Sequence, residues 1–518
     1  MIDSPVRRLD YFWAAVSGAL LVLSFPTYNL WPVAWFFLVP LLLCTQGKNG
    51  KDAFFLGAFA GVVAYLGLIY WIVVAVHQYG NIPLPFAIPV LLLLVIYLSL
   101  YWGTFTFLTS YVHEGSVWIP LVTFPALWVG LEYLRSYLLS GFPWALIGYS
   151  QYGNALCTQI ADITGVYGVS FLVIMVNILL FLWIVRLQGR KRPPLLGTIF
   201  SVTLVVLTIA YGYWRIYFPM QEEKGLRIGV VQGDIPQDVK WDKGFQDKTM
   251  RIYRDLTFEL KGQSVGLIVW PETAFPAYFP SGTELDNTVM AIPQEMGSYL
   301  LFGSLAMKKN KKMIAVYNSA YLLSPQRRIV GRYDKIHLVP FGEYVPLSTR
   351  FPVFNALAGI GNITPGDEPV IFHLPRGKFG VLICFEVIFP ELCRKFVLKD
   401  ADFMVTITND AWFGKTSAPY QHLAQASFRS IENRIWLVRA ANTGISALVD
   451  PWGRIRQSSS LFTPETLTGE IGFRARPMTF YTTHGDLFAM VCALLGIILI
   501  GYVALKRHVL WSQGKSRR

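Results

Sequence analysis

Lys378-Phe-Gly-Val-Leu-Ile-Cys384-Phe-Glu386 places a thiol and a carboxyl directly after a run of apolar residues. A short run of this kind, bounded by turn residues, reads as a buried strand. Leu267-Ile-Val-Trp270-Pro-Glu272 repeats the arrangement with a carboxylate after the run. Open α/β sheets carry their ligand sites beyond the C-terminal ends of the strands. Further strand-like runs lie at Leu226–Gln232, Val265–Trp270, Tyr299–Leu305 and Phe403–Thr408. Between them, Phe245–Leu260 and Tyr420–Arg439 have helical periodicity. The alternation predicts a sheet covered by helices over residues 218–485, with Glu272 and Cys384 meeting at the ends of adjacent strands.

Outside that stretch the chain is of another kind. Of 518 residues, 53% are hydrophobic and 15% charged, against roughly 25% charged in soluble proteins. Eight apolar segments lie near 10–25, 29–45, 53–75, 85–111, 116–139, 163–187, 195–217 and 486–505. Most reach the roughly 20 residues that span a bilayer. The first two are short and suit a tilted or re-entrant pair. Ser24-Phe25-Pro26-Thr27 lacks a small-x-small cleavage pattern, so the first segment is expected to be an uncleaved anchor.

The net charge of +13 would suit a nucleic-acid binder, but its distribution excludes that reading. Arg7, Arg8, Lys48, Lys51, Arg186, Arg190, Lys191 and Arg192 flank apolar segments, and the C-terminus adds Lys506, Arg507, Lys515, Arg517 and Arg518. The connection His77–Leu84 has no Lys or Arg. By the positive-inside rule both termini are cytoplasmic and residues 218–485 lie on the opposite side. The expected organisation is therefore a helical membrane bundle over 1–217, a catalytic domain over 218–485, and a last span with a basic tail over 486–518.

A third motif, Tyr333-Asp-Lys335-Ile-His-Leu-Val-Pro-Phe-Gly-Glu343, adds an ammonium. A thiol with a pKa near 8.5 is a minor thiolate at neutral pH. A carboxylate whose own pKa is raised by burial can take its proton. A nearby lysine then stabilises the thiolate and the oxyanion that follows, with the backbone N–H of Phe385 as a second oxyanion donor. Taken alone, Cys384 suits a packed strand cysteine, or a partner for Cys393 in a disulfide. His337, His373 and His422 show no spacing that implies a Cys-His dyad. There is no HExxH and no Cys/His metal cluster. Gly414-Lys-Thr416 lacks the earlier glycine of a phosphate loop, which falls at Asn409. No metal and no cofactor is expected.

The three motifs, in this order, resemble the Glu-Lys-Cys set of the nitrilase superfamily. Seven spans before the domain and one after it are similar to the apolipoprotein N-acyltransferase family, as are Gly141-Phe-Pro-Trp144, Val231-Gln-Gly-Asp-Ile-Pro-Gln237 with Trp241, and Asn409-Asp-Ala-Trp-Phe-Gly414. The resemblance covers essentially the whole chain. It implies an αββα sandwich and a two-step acyl transfer in the bacterial inner membrane, with the domain on the periplasmic side. Cys384 takes an acyl chain from a phospholipid, typically phosphatidylethanolamine, as a thioester. The α-amine of a diacylglyceryl-cysteine at a lipoprotein N-terminus then accepts it. Glu272 is implied as general base and acid, Lys335 as oxyanion partner, and Glu343 and Glu386 as supporting acids. Many members have Tyr where this chain has Phe385, which puts any role of a phenolic hydroxyl in doubt but leaves the backbone N–H. A monomer is expected.

Removing a lipid from a bilayer costs about 0.8 kcal/mol per exposed CH₂, so the thiol must come to the interface. Phe275–Pro280 and Pro346–Ile363, the latter carrying Phe351, Phe354, Leu357 and Ile360 with Gly359 and Gly361, are expected to form lipid-dipping loops around the site mouth, the second of them mobile. Trp144 and Tyr149 are expected to complete the entrance at the interfacial level. Trp241 and Trp412 suit core packing and substrate contact equally. Arg135, inside the fifth segment, suits snorkelling or head-group binding.

Overall fold

Two compact units make up the chain: Met1–Tyr70, Ile88–Pro219 and His484–Arg518 form one, and Trp71–Ala87 with Met220–Thr483 form the other. The computed structural model describes residues 4–80, 82–111, 117–218, 223–310, 313–344, 363–474 and 477–516. Most of Pro346–Ile363, including Phe351, Phe354, Leu357, Gly359, Ile360 and Gly361, lies outside the described residues.

The first unit is helical. Gly50–Ile69, Leu84–Thr109, Val166–Gln188 and Leu195–Tyr217 are long and apolar enough to cross a membrane, by length and composition. Arg8–Ser24, Trp118–Tyr137 and Leu487–Ser516 are the other long helices. The second apolar segment is not one helix: a 3-10 turn at Trp31–Trp35 is followed by a short helix at Val39–Thr45. Outward positions such as Leu93 and Ile199 are apolar and exposed. Close backbone approach holds the bundle, as small residues allow in membranes. A Cβ on Gly130 would lie 2.9 Å from the Cα of Ala493.

Arg135 does not extend to the surface of the helical unit. It is buried, bonded to the Tyr65 hydroxyl and lying over that ring. Neighbouring Glu132 accepts from the Ile147 backbone N–H at 2.7 Å and from Trp128 Nε1 at 3.1 Å. A buried ionisable pair on one helix thus finds partners within the bundle, which removes the need to reach water.

Among the described residues the second unit contains twelve strands in two sheets of six. They are β1 (Glu223–Gln232), β2 (Leu267–Val269), β3 (Tyr299–Asn310), β4 (Met313–Leu323), β5 (Ile329–Asp334), β6 (Ile371–His373), β7 (Lys378–Ile383), β8 (Phe403–Thr408), β9 (Trp436–Ala441), β10 (Ala447–Val449), β11 (Ile455–Ser458) and β12 (Glu465–Phe473). The sheets run β12-β1-β2-β3-β4-β5 and β11-β10-β9-β8-β7-β6. Each has a parallel centre, β1-β2-β3 or β7-β8-β9, and antiparallel flanks. β2 and β8 are buried along their whole length, as strands covered on both faces must be. Helices Gln246–Phe258 and Glu284–Met296 pack on the first sheet, Pro390–Leu398 and Ala418–Asn433 on the second, and the sheets meet through β1 with β9 and β4 with β7.

Two expectations are corrected. The helix expected over Tyr420–Arg439 stops at Asn433, and its last four residues begin β9. Arg434 takes a left-handed conformation as the helix cap, and the apolar run Ile435-Trp-Leu-Val438 is then drawn into the sheet. Glu272 and Cys384 are not on adjacent strands: β2 and β7 belong to different sheets.

Candidate active site

Glu272 sits in the turn that leaves β2. Gly303 N–H on β3 donates to the Pro271 carbonyl at 3.0 Å, and Phe275 N–H donates back to the Gly303 carbonyl at 3.1 Å. Gly303 is needed there, since a Cβ would meet the Glu272 Cα at 2.6 Å. The carboxylate is buried and held at both oxygens. Asn318 Nδ2 donates to Oε1 at 2.7 Å and Asn409 N–H donates to Oε2 at 2.9 Å.

Lys335 follows β5 and is buried. Its Nζ lies 2.9 Å from both oxygens of Glu343 and 3.7 Å from Glu272 Oε1. Burial works against its charge, but the Glu343 and Glu272 carboxylates outweigh it and hold the ammonium above the ordinary lysine value. Asn318, on β4, also donates to Glu343 Oε1 at 2.9 Å. One amide therefore bridges the two carboxylates that face Lys335.

Cys384 comes from the second sheet. It opens a 3-10 turn, Cys384–Ile388, directly after β7, and its φ of +53° is left-handed for a non-glycine residue. Such conformations persist where the surroundings over-determine them. Glu272 and Lys335 both act electrostatically on the thiol. Burial first, then the Glu272 charge, push the thiol above its ordinary value, with Lys335 pulling the other way. Cys384 therefore rests as a thiol. Phe385 follows in the first turn, where a backbone N–H has no intrahelical acceptor.

Glu386 acts as a clamp. Its Oε1 accepts from the Tyr333 hydroxyl at 2.8 Å, Ile336 N–H at 2.7 Å and His337 N–H at 3.0 Å, and its Oε2 accepts from Ile383 N–H at 2.7 Å. Fully buried, it is pushed up to about 7 by desolvation against those donors. It ties the end of β7 to the residues on either side of Lys335.

Next to Cys384 in the second sheet lies a buried polar group that the motifs did not single out as a unit. The Thr408 hydroxyl, at the end of β8, donates to Asp410 Oδ1 at 2.9 Å. Arg439 Nη2 donates to Asp410 Oδ2 at 2.6 Å, and His422 Nδ1 is 3.1 Å from Asp410 Oδ1. Arg439 and His422 outweigh burial and hold Asp410 well below the usual carboxylate range. His422 Nδ1 is also 3.1 Å from Arg439 Nη2, and the ring lies edge-on to Phe413, so it belongs to the Asp410 group. Arg439 fell at the end of the stretch read as a helix and Thr408 at the end of a strand-like run, and neither carried a signal.

The expected entrance residues scatter. Trp241 is 42% exposed and Trp412 half-buried. Trp144 and Tyr149 are buried in the core of the helical unit, which favours packing over an interfacial surface. Phe275 and Phe279 are not lipid-dipping: both are buried and pack on Phe302 of β3, with Phe279 also on Tyr321 of β4. Tyr278 between them is exposed. His337 is driven down to about 4 by burial and then by Lys335, and its ring packs on Phe389 at 3.7 Å. All five cysteines are unbridged, including Cys384 and Cys393. Among the described residues no group of three His, Cys, Asp or Glu side chains is placed to hold a metal.

Comparison with known proteins narrows the reading. Residues 17–179 match the apolipoprotein N-acyltransferase N-terminal domain, and residues 227–475 match the carbon-nitrogen hydrolase family. An apolipoprotein N-acyltransferase of Geobacter metallireducens is 42% identical over 98% of both chains. The chain belongs to the apolipoprotein N-acyltransferase family. A second such relative, from Pasteurella multocida, is 31% identical over 98% of this chain and 97% of its own. Among solved structures, an amidase from Nesterenkonia sp. covers 52% of this chain and 95% of its own, at 18% identity and a TM-score of 0.37. Like the other apolipoprotein N-acyltransferases, this chain is an acyltransferase that joins a helical region to a nitrilase-like α/β domain.

Proposed function

We propose that this chain transfers an acyl chain from a membrane phospholipid, with phosphatidylethanolamine as donor, to the α-amine of the diacylglyceryl-cysteine at an apolipoprotein N-terminus. The Glu272 carboxylate takes the proton from Cys384 Sγ, and the sulfur attacks the ester carbonyl carbon. Lys335 and the Phe385 N–H stabilise the oxyanion. The carbon–oxygen bond breaks, Glu272 returns the proton to the leaving lysophospholipid, and a thioester remains. The acceptor amine then attacks the thioester, and its proton passes through Glu272 to sulfur. Glu343 holds Lys335 in place, and Trp241 and Trp412 contact substrate.

One observation carries this reading: a carboxylate, an ammonium and a buried thiol from two sheets act on one another in a member of this family. A thiol pushed up by burial needs a base, and the charge that acts on it most strongly is that of Glu272. The membrane assignment rests on the helices and on charge. Eight spans, a periplasmic catalytic unit and cytoplasmic termini in the bacterial inner membrane agree with Lys48, Lys51 and the Arg186–Arg192 cluster on one side, and the uncharged His77–Leu84 connection on the other.

Intact-mass spectrometry tests the proposal. Full-length protein incubated with phosphatidylethanolamine vesicles gains one acyl mass on Cys384, and a diacylglyceryl-cysteinyl peptide removes it as an amide. Cys384→Ala gains none. Loss of the acyl group to water at the same rate with or without peptide would make the chain a hydrolase instead.

A further inference from the structure

A second lysine lies at this site. Lys240 precedes the exposed Trp241, yet is itself buried, with 2% of its surface accessible. Its Nζ donates to the backbone carbonyl of Glu272 at 3.2 Å. The loop that carries it is anchored from the second sheet. Asn442 holds Ile235 through both its amide oxygen and its amide nitrogen, at 3.0 and 2.8 Å, and Asn409 Nδ2 donates to Gln237 Oε1 at 2.7 Å. Asn409 is the residue whose N–H also holds the Glu272 carboxylate.

Lys335 and Lys240 differ in what neutralises them. Lys335 is shared between Glu343 and Glu272. Among the described residues, no carboxylate oxygen stands within 4 Å of Lys240 Nζ, and Glu272's carbonyl takes one of its three donors. A buried ammonium without a carboxylate is costly and is retained where its charge acts on something else.

We propose that Lys240 is a positioning residue of the acyl transfer, whose uncommitted ammonium pins the Glu272 backbone and supplies the positive potential under which the Cys384 proton leaves. This rests on Cys384 and Glu272 acting as nucleophile and base. When the proton moves from sulfur to Glu272, negative charge moves off the carboxylate and onto a buried sulfur. Lys335 already favours that charge while bound to Glu343, and Lys240, held on the Glu272 carbonyl, adds a second positive charge to the same site. The charged groups that act on Lys240 are Glu272 and Cys384, with Lys335 and Glu343 beyond Glu272. Burial brings Lys240 down to about 8, against the pull of those two groups. Its charge is therefore present at neutral pH and lost on the alkaline side.

The test reads the thiol without any lipid. Full-length wild type, Lys240→Met and Lys240→Arg are labelled with iodoacetamide, and modification of Cys384 is followed by intact mass, with Cys384→Ala subtracting the other cysteines. At about pH 7 we expect Lys240→Met to label about tenfold more slowly. Lys240→Arg stays within about threefold of wild type at that pH and overtakes it at about pH 9.5, because arginine keeps its charge there. Equal labelling of Lys240→Met and wild type across this range overturns the proposal. If Lys240→Met does not fold, Lys240→Arg decides: a pH profile identical to wild type above about pH 8 overturns it. Wild type that never labels at Cys384 overturns the underlying nucleophile assignment, and that outcome is distinct from an unaffected Lys240 variant.

Discussion

The backbone N–H of Asn409 donates to Glu272 Oε2 at 2.9 Å. Glu272 follows β2 in one sheet, and Asn409 follows β8 in the other. The carboxylate proposed as general base is thus oriented by main chain from the opposite side of the sandwich. A side-chain donor would have its own rotamers to order; a backbone donor at a strand end is already fixed.

Asn318 orients the other oxygen of Glu272 and also bonds Glu343. Asn318→Leu removes both bonds and leaves the carboxylates facing each other. We expect thioester formation to fall about 10²-fold with the protein still folded, measured as single-turnover acylation by intact mass. Asn318→Asp is expected to be slower still, because a third carboxylate competes for Lys335. An Asn318→Leu rate equal to wild type would show that Glu272 needs no such orientation.

Glu386→Gln tests the clamp. A glutamine places an N–H₂ where the carboxylate now receives N–H and O–H donors. Leaving one such donor unmet costs about 2 kcal/mol. The expected outcome is a lower thermal midpoint for the catalytic unit and faster proteolysis around residues 333–344, read by limited digestion.

Asp410 is the sole carboxylate bonded to Arg439 among the described residues, and both are fully buried. Asp410→Leu strands the guanidinium and should cost about 3–5 kcal/mol. Asp410→Leu combined with Arg439→Met removes both charges and is expected to recover most of that loss. Unfolding midpoints of the two variants and wild type settle this; a double variant no more stable than the single one would contradict the reading.

His337 makes a pH-dependent contribution whose sign is set by burial. Its folded value of about 4 lies below the ordinary 6.5. An unfolded chain binds the proton more readily, so the stabilisation is complete above pH 6.5 and is lost as pH falls toward 4. The thermal midpoint of wild type should drop over that interval, and His337→Gln should drop less. Equal slopes for the two proteins would exclude His337 as the source.

Several parts of the site were legible before any coordinates. Glu272 and Cys384 stand out because each ends a buried run with a reactive side chain, and Lys335 and Glu343 fall in one motif. Asn318 and Thr408 gave no such signal. Each is a polar residue in a strand, and a strand pattern does not say whether a polar side chain faces water or a carboxylate. Phe275 and Phe279 misled for the related reason that apolar residues beside a catalytic motif suit a lipid surface as well as a core. β9 was hidden in a helical period because Arg434 turns the chain between two apolar stretches, and a cap of that kind depends on backbone conformation.

Residue order alone determined the division into apolar helices and an α/β domain, because the length of apolar runs and the alternation of elements are local properties. It also singled out Glu272, Lys335 and Cys384 as the candidate reactive side chains. Tertiary structure decided how they meet: the carboxylate and the thiol belong to two sheets, and they act on one another because the sheets pack face to face. It also decided that Lys240 is buried while its neighbour Trp241 is exposed. Pairing across a sandwich depends on contacts far apart in the chain, and no pattern along the chain encodes them.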